Sequence, residues 1–201
     1  MSVQATIRLY LAETSLPSQS VKNANPVSSF LRLLTVSAAL LAVTGCGRGD
    51  APQAAAASLK TMADYFAIKV GDQMVQMELA IGMAEMQHGL MGRRDLKPDQ
   101  GMLFVYDKPQ RQSFWMRDTP TALDVGFYDE NGVLVEIYPM YPFDETPVKS
   151  RSETLKFALE MNLGWFAAHK VKPGAKLDMQ ALAAALRERG FDPTAYLGAQ
   201  L

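Results

Sequence analysis

A tight turn divides two apolar runs near the middle of the chain. Asp129-Glu130-Asn131-Gly132 separates Leu123 to Tyr128 from Val133 to Tyr138. Asn-Gly reaches positive φ at low cost, so the two runs are expected to fold back as an antiparallel hairpin. The same punctuation recurs. Gly71-Asp72 joins Tyr65–Val70 to Met74–Ala80, and Pro173-Gly174 marks another turn. Gly101 to Tyr106, Ser113 to Asp118 and Phe157 to Met161 read as further strands. Short helices are expected over Met83–Met91 and Leu163–His169. Met179 to Arg189 is the strongest helix, with Asp178 as N-cap and Gly190 as its stop. There is no βαβ rhythm and no Gly-rich phosphate loop. The expectation is a mainly β fold: an antiparallel β-sandwich or jelly-roll-like domain with short helices and a C-terminal helix.

The N-terminal region follows a different logic. Residues 1–45 hold Arg8, Lys22, Arg32 and Glu13, a charge of +2, whereas the whole chain carries -1. Leu33 to Val43 is an apolar run of 11 residues behind Arg32. Crossing ~30 Å of hydrocarbon takes about 20 residues, so this run fits a signal-peptide core instead. It ends Val43-Thr44-Gly45-Cys46, which resembles a bacterial lipobox, and Cys46 is the only cysteine of the chain. That resemblance implies lipidation of Cys46 and anchoring to a lipid bilayer. The expected organisation is a leader over 1–45, a Gly/Ala/Pro/Gln-rich tether over 46–63, a β domain over 64–178, and a helix with tail over 179–201. Gly47 rather than Asp follows Cys46, which by resemblance to lipoprotein sorting favours the outer membrane over the inner, facing the periplasm. A leader of this length exceeds the usual one, and Val21 is a candidate start of translation.

Composition removes several function classes. A net charge of -1 gives no basic surface for nucleic acid. One Cys and two His, His88 and His169, are too few for a multi-Cys or three-His metal centre, so no metal or cofactor is expected. No G-x-S-x-G occurs. Five methionines (Met74, Met77, Met83, Met86 and Met91) crowd near His88. Soft thioethers suit Cu(I), but filling an irregular core is the commoner use.

Three acids are set within apolar strands: Glu78, Asp124 and Glu160. Alternation puts Glu78 with Gln76 and Ala80, Asp124 with Ala122 and Gly126, and Glu160 with Ala158. If those faces coincide, small neighbours leave an acid-lined hollow. Arg93, Arg94 and Arg117 are placed to neutralise it or grip a polar ligand. Trp115, pointing the same way as Arg117 along a strand, completes a sugar-binding pattern. The alternative is a solvated sheet face with surface ion pairs worth ~0–1 kcal/mol each.

Several segments taken together are similar to a known family. They are Met77-Glu78-Leu79-Ala80, Gly89-Leu90-Met91-Gly92-Arg93, Gly101-Met102-Leu103-Phe104, Phe114-Trp115-Met116-Arg117-Asp118-Thr119, Leu123-Asp124-Val125-Gly126-Phe127, and Leu159-Glu160 followed by Gly164. Their order and spacing resemble the domain-of-unknown-function 192 family of bacteria and archaea, over roughly residues 65–178. The resemblance implies a compact β-sandwich, often exported, with no established activity. The family commonly has Lys-Asn-Thr where this chain has Arg117-Asp118-Thr119, which adds a negative charge beside Arg117.

Four functions follow as expectations. The first is non-catalytic binding of a polar, carbohydrate-like ligand by Glu78, Arg93, Trp115, Arg117, Asp124 and Glu160. The second is a carbohydrate hydrolase, which requires two carboxylates ~5–9.5 Å apart. The third is an interaction module docking a protein partner on the Leu182/Leu186 stripe, and the fourth is Cu(I) handling.

Overall fold

The computed structural model describes residues 58–198. The leader, Cys46 and most of the tether lie outside the described residues. Eight strands follow in chain order: β1 (Phe66–Val70), β2 (Gln73–Ala80), β3 (Gln100–Gln110), β4 (Ser113–Phe114), β5 (Leu123–Asp129), β6 (Leu134–Met140), β7 (Val148–Lys149) and β8 (Leu155–Asn162). Helix α1 (Met83–His88) leaves β2, α2 (Trp165–Ala168) follows β8, and α3 (Met179–Glu188) and α4 (Pro193–Leu197) complete the described chain.

Six strands form one sheet in the order β1-β2-β3-β8-β5-β6, and β4 pairs with β7 in a small second sheet. The mainly β class with short helices and a C-terminal helix is the expected one. One pairing differs from an all-antiparallel sheet: β2 and β3 run parallel. The chain between them carries α1 as a crossover, which a parallel pair requires. The β5–β6 hairpin forms as expected, with Gly132 at φ +71 in its turn and Asp129 Oδ1 accepting from the N–H groups of Asn131 and Val133.

Both faces of the large sheet are buried, which explains why β5 and β8 are almost continuously apolar. One face carries Ile68, Met77, Leu79, Leu103, Leu159 and Met161 under α2 and α3. The other carries Ala80, Met102, Phe104, Val125, Phe127 and Ala158 under Leu90, Phe114 and Met116. The C-terminal helix closes the first core. Asp178 caps it by accepting from the Ala181 N–H, and Leu182 and Leu186 are completely buried. The apolar stripe on this helix therefore docks on its own domain and presents no surface to a partner, which corrects that part of the interaction reading. An amphipathic helix beside an uncovered sheet face gains most by burying its stripe there.

Candidate functional site

Register decides where the acids point, because directly opposed residues in neighbouring strands share a face. Glu78 opposes Met102, Met102 opposes Glu160, and Glu160 opposes Val125. Glu78 and Glu160 therefore lie on one face, two strands apart. Asp124 opposes Met161, which opposes Gly101 and then Met77. Asp124 faces the α2/α3 side, away from the other two acids. The expected common face of Glu78, Asp124 and Glu160 is not formed. Gly126 leaves no open space beside Asp124, because the Phe166 ring lies so close that an added Cβ would come within 2.6 Å of it; Asp124 instead borders a separate groove with Ile137, Leu163 and Phe166.

Each acid has its own surroundings. Glu78 is buried and meets Arg93 through both carboxylate oxygens, at 2.7 and 2.9 Å from Nη2. Arg93 Nη1 also donates to the Tyr65 hydroxyl at 2.9 Å. The Glu78 contact raises the Arg93 pKa further, while burial raises that of Tyr65. This triad ties β2 to the loop after α1 and leaves neither charge free to grip a ligand. Asp124 accepts from the Gly164 N–H at 2.8 Å and so holds the left-handed Gly164 turn that starts α2. Burial raises its pKa and that hydrogen bond opposes the rise. Only one of the three acids retains a free carboxyl group. The paired-carboxylate arrangement of a glycosidase is thus not assembled, since Glu78 is held by Arg93 and Asp124 lies across the sheet.

Glu160 is different. It is only 4% exposed, and its pKa is pushed up to about 8 by burial, with no described hydrogen bond or cation to oppose the shift. Its carboxyl group lines a recess of ≈ 80 Å³ with Met86, His88, Phe104, Tyr106 and Phe114. Trp115 stands at the rim, 45% exposed. A wider groove of ≈ 590 Å³ continues outward past Met86, Tyr106 and Trp115 towards Met83 and Tyr196. Glu160 and Trp115 are the two expected site residues that the fold brings together.

Arg117 does not join them as a ligand grip. Strand β4 ends at Phe114, so Trp115 and Arg117 do not share the expected strand face. Arg117 is exposed, 3.6 Å from Asp118, with its guanidinium 5.6 Å from the Trp115 ring centroid. Phe114 and Met116 turn inward on either side of Trp115, which is why the tryptophan is left outside.

The wall formed by α1 has an unusual support. None of the residues of α1 is buried. Its position comes instead from Glu85, whose Oε2 accepts from the Ile81 and Gly82 N–H groups at 2.9 and 3.3 Å. Glu85 Oε1 also meets Arg189 Nη2 at 2.5 Å, and Arg189 Nη1 donates to the Leu79 carbonyl. A buried arginine at the end of α3 thus holds the recess wall against the sheet.

The remaining sequence candidates disperse. Met77 is buried on the α2/α3 face, Met74 and Met83 are exposed, and only Met86 and Met91 border the recess. The five methionines do not form one thioether cluster. His169 stacks on Trp165 at 4.5 Å between ring centroids and lies 3.4 Å from Asp99, all on the other side of the sheet. Phe104, Tyr106 and Phe114 were legible only as strand or core residues. Their convergence on Glu160 depends on the β3–β8 pairing, for which no local sequence signal exists.

A family model described as an uncharacterized ACR, domain-of-unknown-function family 192, matches residues 66–179. The chain belongs to this family. No curated protein matches it. Two solved structures of the same fold are similar to it. One, described as a putative transcription regulator from Sinorhizobium meliloti, is 28% identical with a TM-score of 0.55, covering 57% of this chain and 92% of its own. The other, a protein of unknown function from Novosphingobium aromaticivorans, is 32% identical with a TM-score of 0.56, covering 62% of this chain and 94% of its own. The family match takes in the whole recess, from α1 to Glu160.

Proposed function

We propose that this protein is a non-catalytic binding module of the bacterial envelope. Cys46 anchors it by lipid, facing the periplasm on the outer membrane, and the recess at Glu160 takes a small ligand with a polar end. The observation that carries the binding reading is a buried carboxyl group without a partner, opening into a cavity rimmed by a half-exposed tryptophan. The carboxyl group opens onto the recess, where a bound ligand would supply the partner that no described protein group provides. Trp115 beside Glu160 also keeps a carbohydrate-like ligand in view, because a sugar ring stacks on an aromatic face while its hydroxyls meet a carboxyl group. A lone free carboxyl group favours binding over glycoside hydrolysis. The description of the Sinorhizobium protein as a putative transcription regulator is not extended to this chain, whose net charge of -1 offers little attraction for phosphates.

Titration of the protein with a panel of soluble glycan fragments and small polar molecules, followed by tryptophan fluorescence, tests the binding reading. Trp165 is the only other tryptophan and is buried on the opposite face, so Trp115→Phe assigns the signal. A saturable change lost in Trp115→Phe is expected, and silence across the whole panel would end the reading. For the anchor, metabolic labelling with a fatty-acid analogue should mark the wild-type chain and not Cys46→Ala.

A further inference from the structure

The binding reading leaves the chemistry of the ligand open, and the lining of the recess narrows it. We infer that the recess receives the primary ammonium head of an organic amine, with Glu160 as its counter-ion, aromatic rings as its walls, and the apolar body of the amine lying in the outer groove. This rests on the binding role just proposed and specifies the ligand of that same site.

Three observations converge. The first is the floor: Glu160 is more than nine-tenths buried, lines the cavity, and receives no described hydrogen bond or ion pair. The second is the wall. Phe104 and Phe114 meet edge to face at 4.9 Å between centroids, and Tyr106 and Trp115 continue the aromatic lining outward. Aromatic rings carry negative faces and attract a desolvated cation brought beside them. The third is charge. Among the described residues no Lys or Arg lines either the recess or the outer groove, whereas Glu160 lines one and Asp107 the other. An anionic ligand finds no described lysine or arginine there, and a neutral one meets Gln87, Gln110, Ser113 and the Tyr106 hydroxyl but leaves the Glu160 charge without a counter-ion. The dimensions agree as well: ≈ 80 Å³ holds one small head group, and ≈ 590 Å³ outside holds a body beside Ile81, Met83 and Tyr196.

The proton balance follows from the burial of Glu160. With its pKa at about 8, the carboxyl group is mostly protonated at pH 7 when no cation is beside it. An ammonium ion arrives charged and stabilises the carboxylate, so the Glu160 proton leaves to buffer. No covalent bond forms or breaks other than that O–H bond. The other titratable groups facing the recess are Tyr106 from β3 and His88 from the end of α1; β5 offers only Val125 opposite Glu160. Affinity should therefore rise close to tenfold per pH unit up to about 8, and His88→Gln separates any histidine contribution.

The test is calorimetry on the full chain at pH 7, with butylammonium, n-butanol as its neutral match, and the glycan panel, and with tryptophan fluorescence in parallel. Butylammonium is expected to bind at least tenfold more tightly than butanol. It should release close to one proton per ligand, measured by repeating the titration in buffers of different ionisation enthalpy, and should lose at least tenfold in Glu160→Gln. The proton count uses the wild-type chain alone, so it decides the question even if the variant folds poorly. Hexylammonium and Nα-acetyl-lysine amide distinguish a free amphiphilic amine from a lysine side chain of a peptide, and tighter binding of either fits the inference. Equal binding of butanol, or amine binding without proton release, overturns it. A glycan response at Trp115 without an amine response overturns it too and leaves the binding role standing. Silence of every probe ends both.

Discussion

Glu160 should make the stability of this protein fall as pH rises. Its carboxyl group titrates near 4.5 in an unfolded chain and at about 8 in the folded one. Between those values the folded state holds a proton that the unfolded state has lost. Unfolding then releases a proton, so higher pH favours unfolding. The contribution is fully present below about pH 4.5 and is lost as pH passes through about 8. Each pKa unit is worth 1.36 kcal/mol, so the change over that window is about 5 kcal/mol, an upper value because water entry into the recess relieves part of it. For a domain of this size about 5 kcal/mol corresponds to roughly 10–20 °C in Tm. The informative comparison is Glu160→Gln, which keeps the shape of the side chain and removes its ionisation. Other groups titrate alike in the two proteins and cancel. Thermal or urea unfolding at half-unit steps from pH 5 to pH 9 should show the variant gaining steadily on the wild type, with most of the gain between pH 5 and pH 8. A constant offset from a buried amide does not affect that slope. Parallel curves across the range would mean that Glu160 ionises normally, and the account of an unpartnered acid in the recess would fall with them.

Other substitutions probe the frame around the site. Arg93→Ala leaves the Glu78 carboxylate buried without its partner and should cost about 3–5 kcal/mol in urea unfolding, whereas Arg93→Ala with Glu78→Gln should recover a large part of it. Gly126→Val forces a side chain into the Phe166 ring, and a loss of about 1–3 kcal/mol is expected by the same measurement. Tyr128 is completely buried and its hydroxyl has no hydrogen-bond partner among the described residues, so Tyr128→Phe should raise stability by about 1–3 kcal/mol; a loss would reveal a partner for that hydroxyl. Asp178→Ala removes the cap of α3 and should lower Tm by an amount equivalent to about 1 kcal/mol, without affecting ligand binding at Trp115.

Much of the architecture can be read along the chain because its signals are local. Asn131-Gly132 demands a hairpin from backbone conformation alone. Asp178 and Gly190 bracket α3 because free N–H groups at one end and a left-handed exit at the other need those residue types. Composition predicts a strand through Asp118, but β4 ends at Phe114, since Phe114, Trp115 and Met116 have the composition of a strand whether or not they pair.

The site behaved differently, and Asp124 shows why. Alternation establishes which residues of one strand share a side, so Asp124 falls with Gly126 and Glu160 with Ala158 whatever the fold. It is silent on which side of one strand matches which side of the next. Where a sheet is covered on one face only, apolar content resolves that choice. Here α2 and α3 cover one face and α1 with the β4–β7 layer covers the other, so both sides of β5 and β8 are apolar and the two parities look alike in sequence. Only the tertiary pairing turned Asp124 towards Gly164, matched Glu78 with Arg93, and left Glu160 alone among aromatic rings. Short-range chemistry along the backbone specified the elements; the burial of both sheet faces specified which acid would remain without a partner.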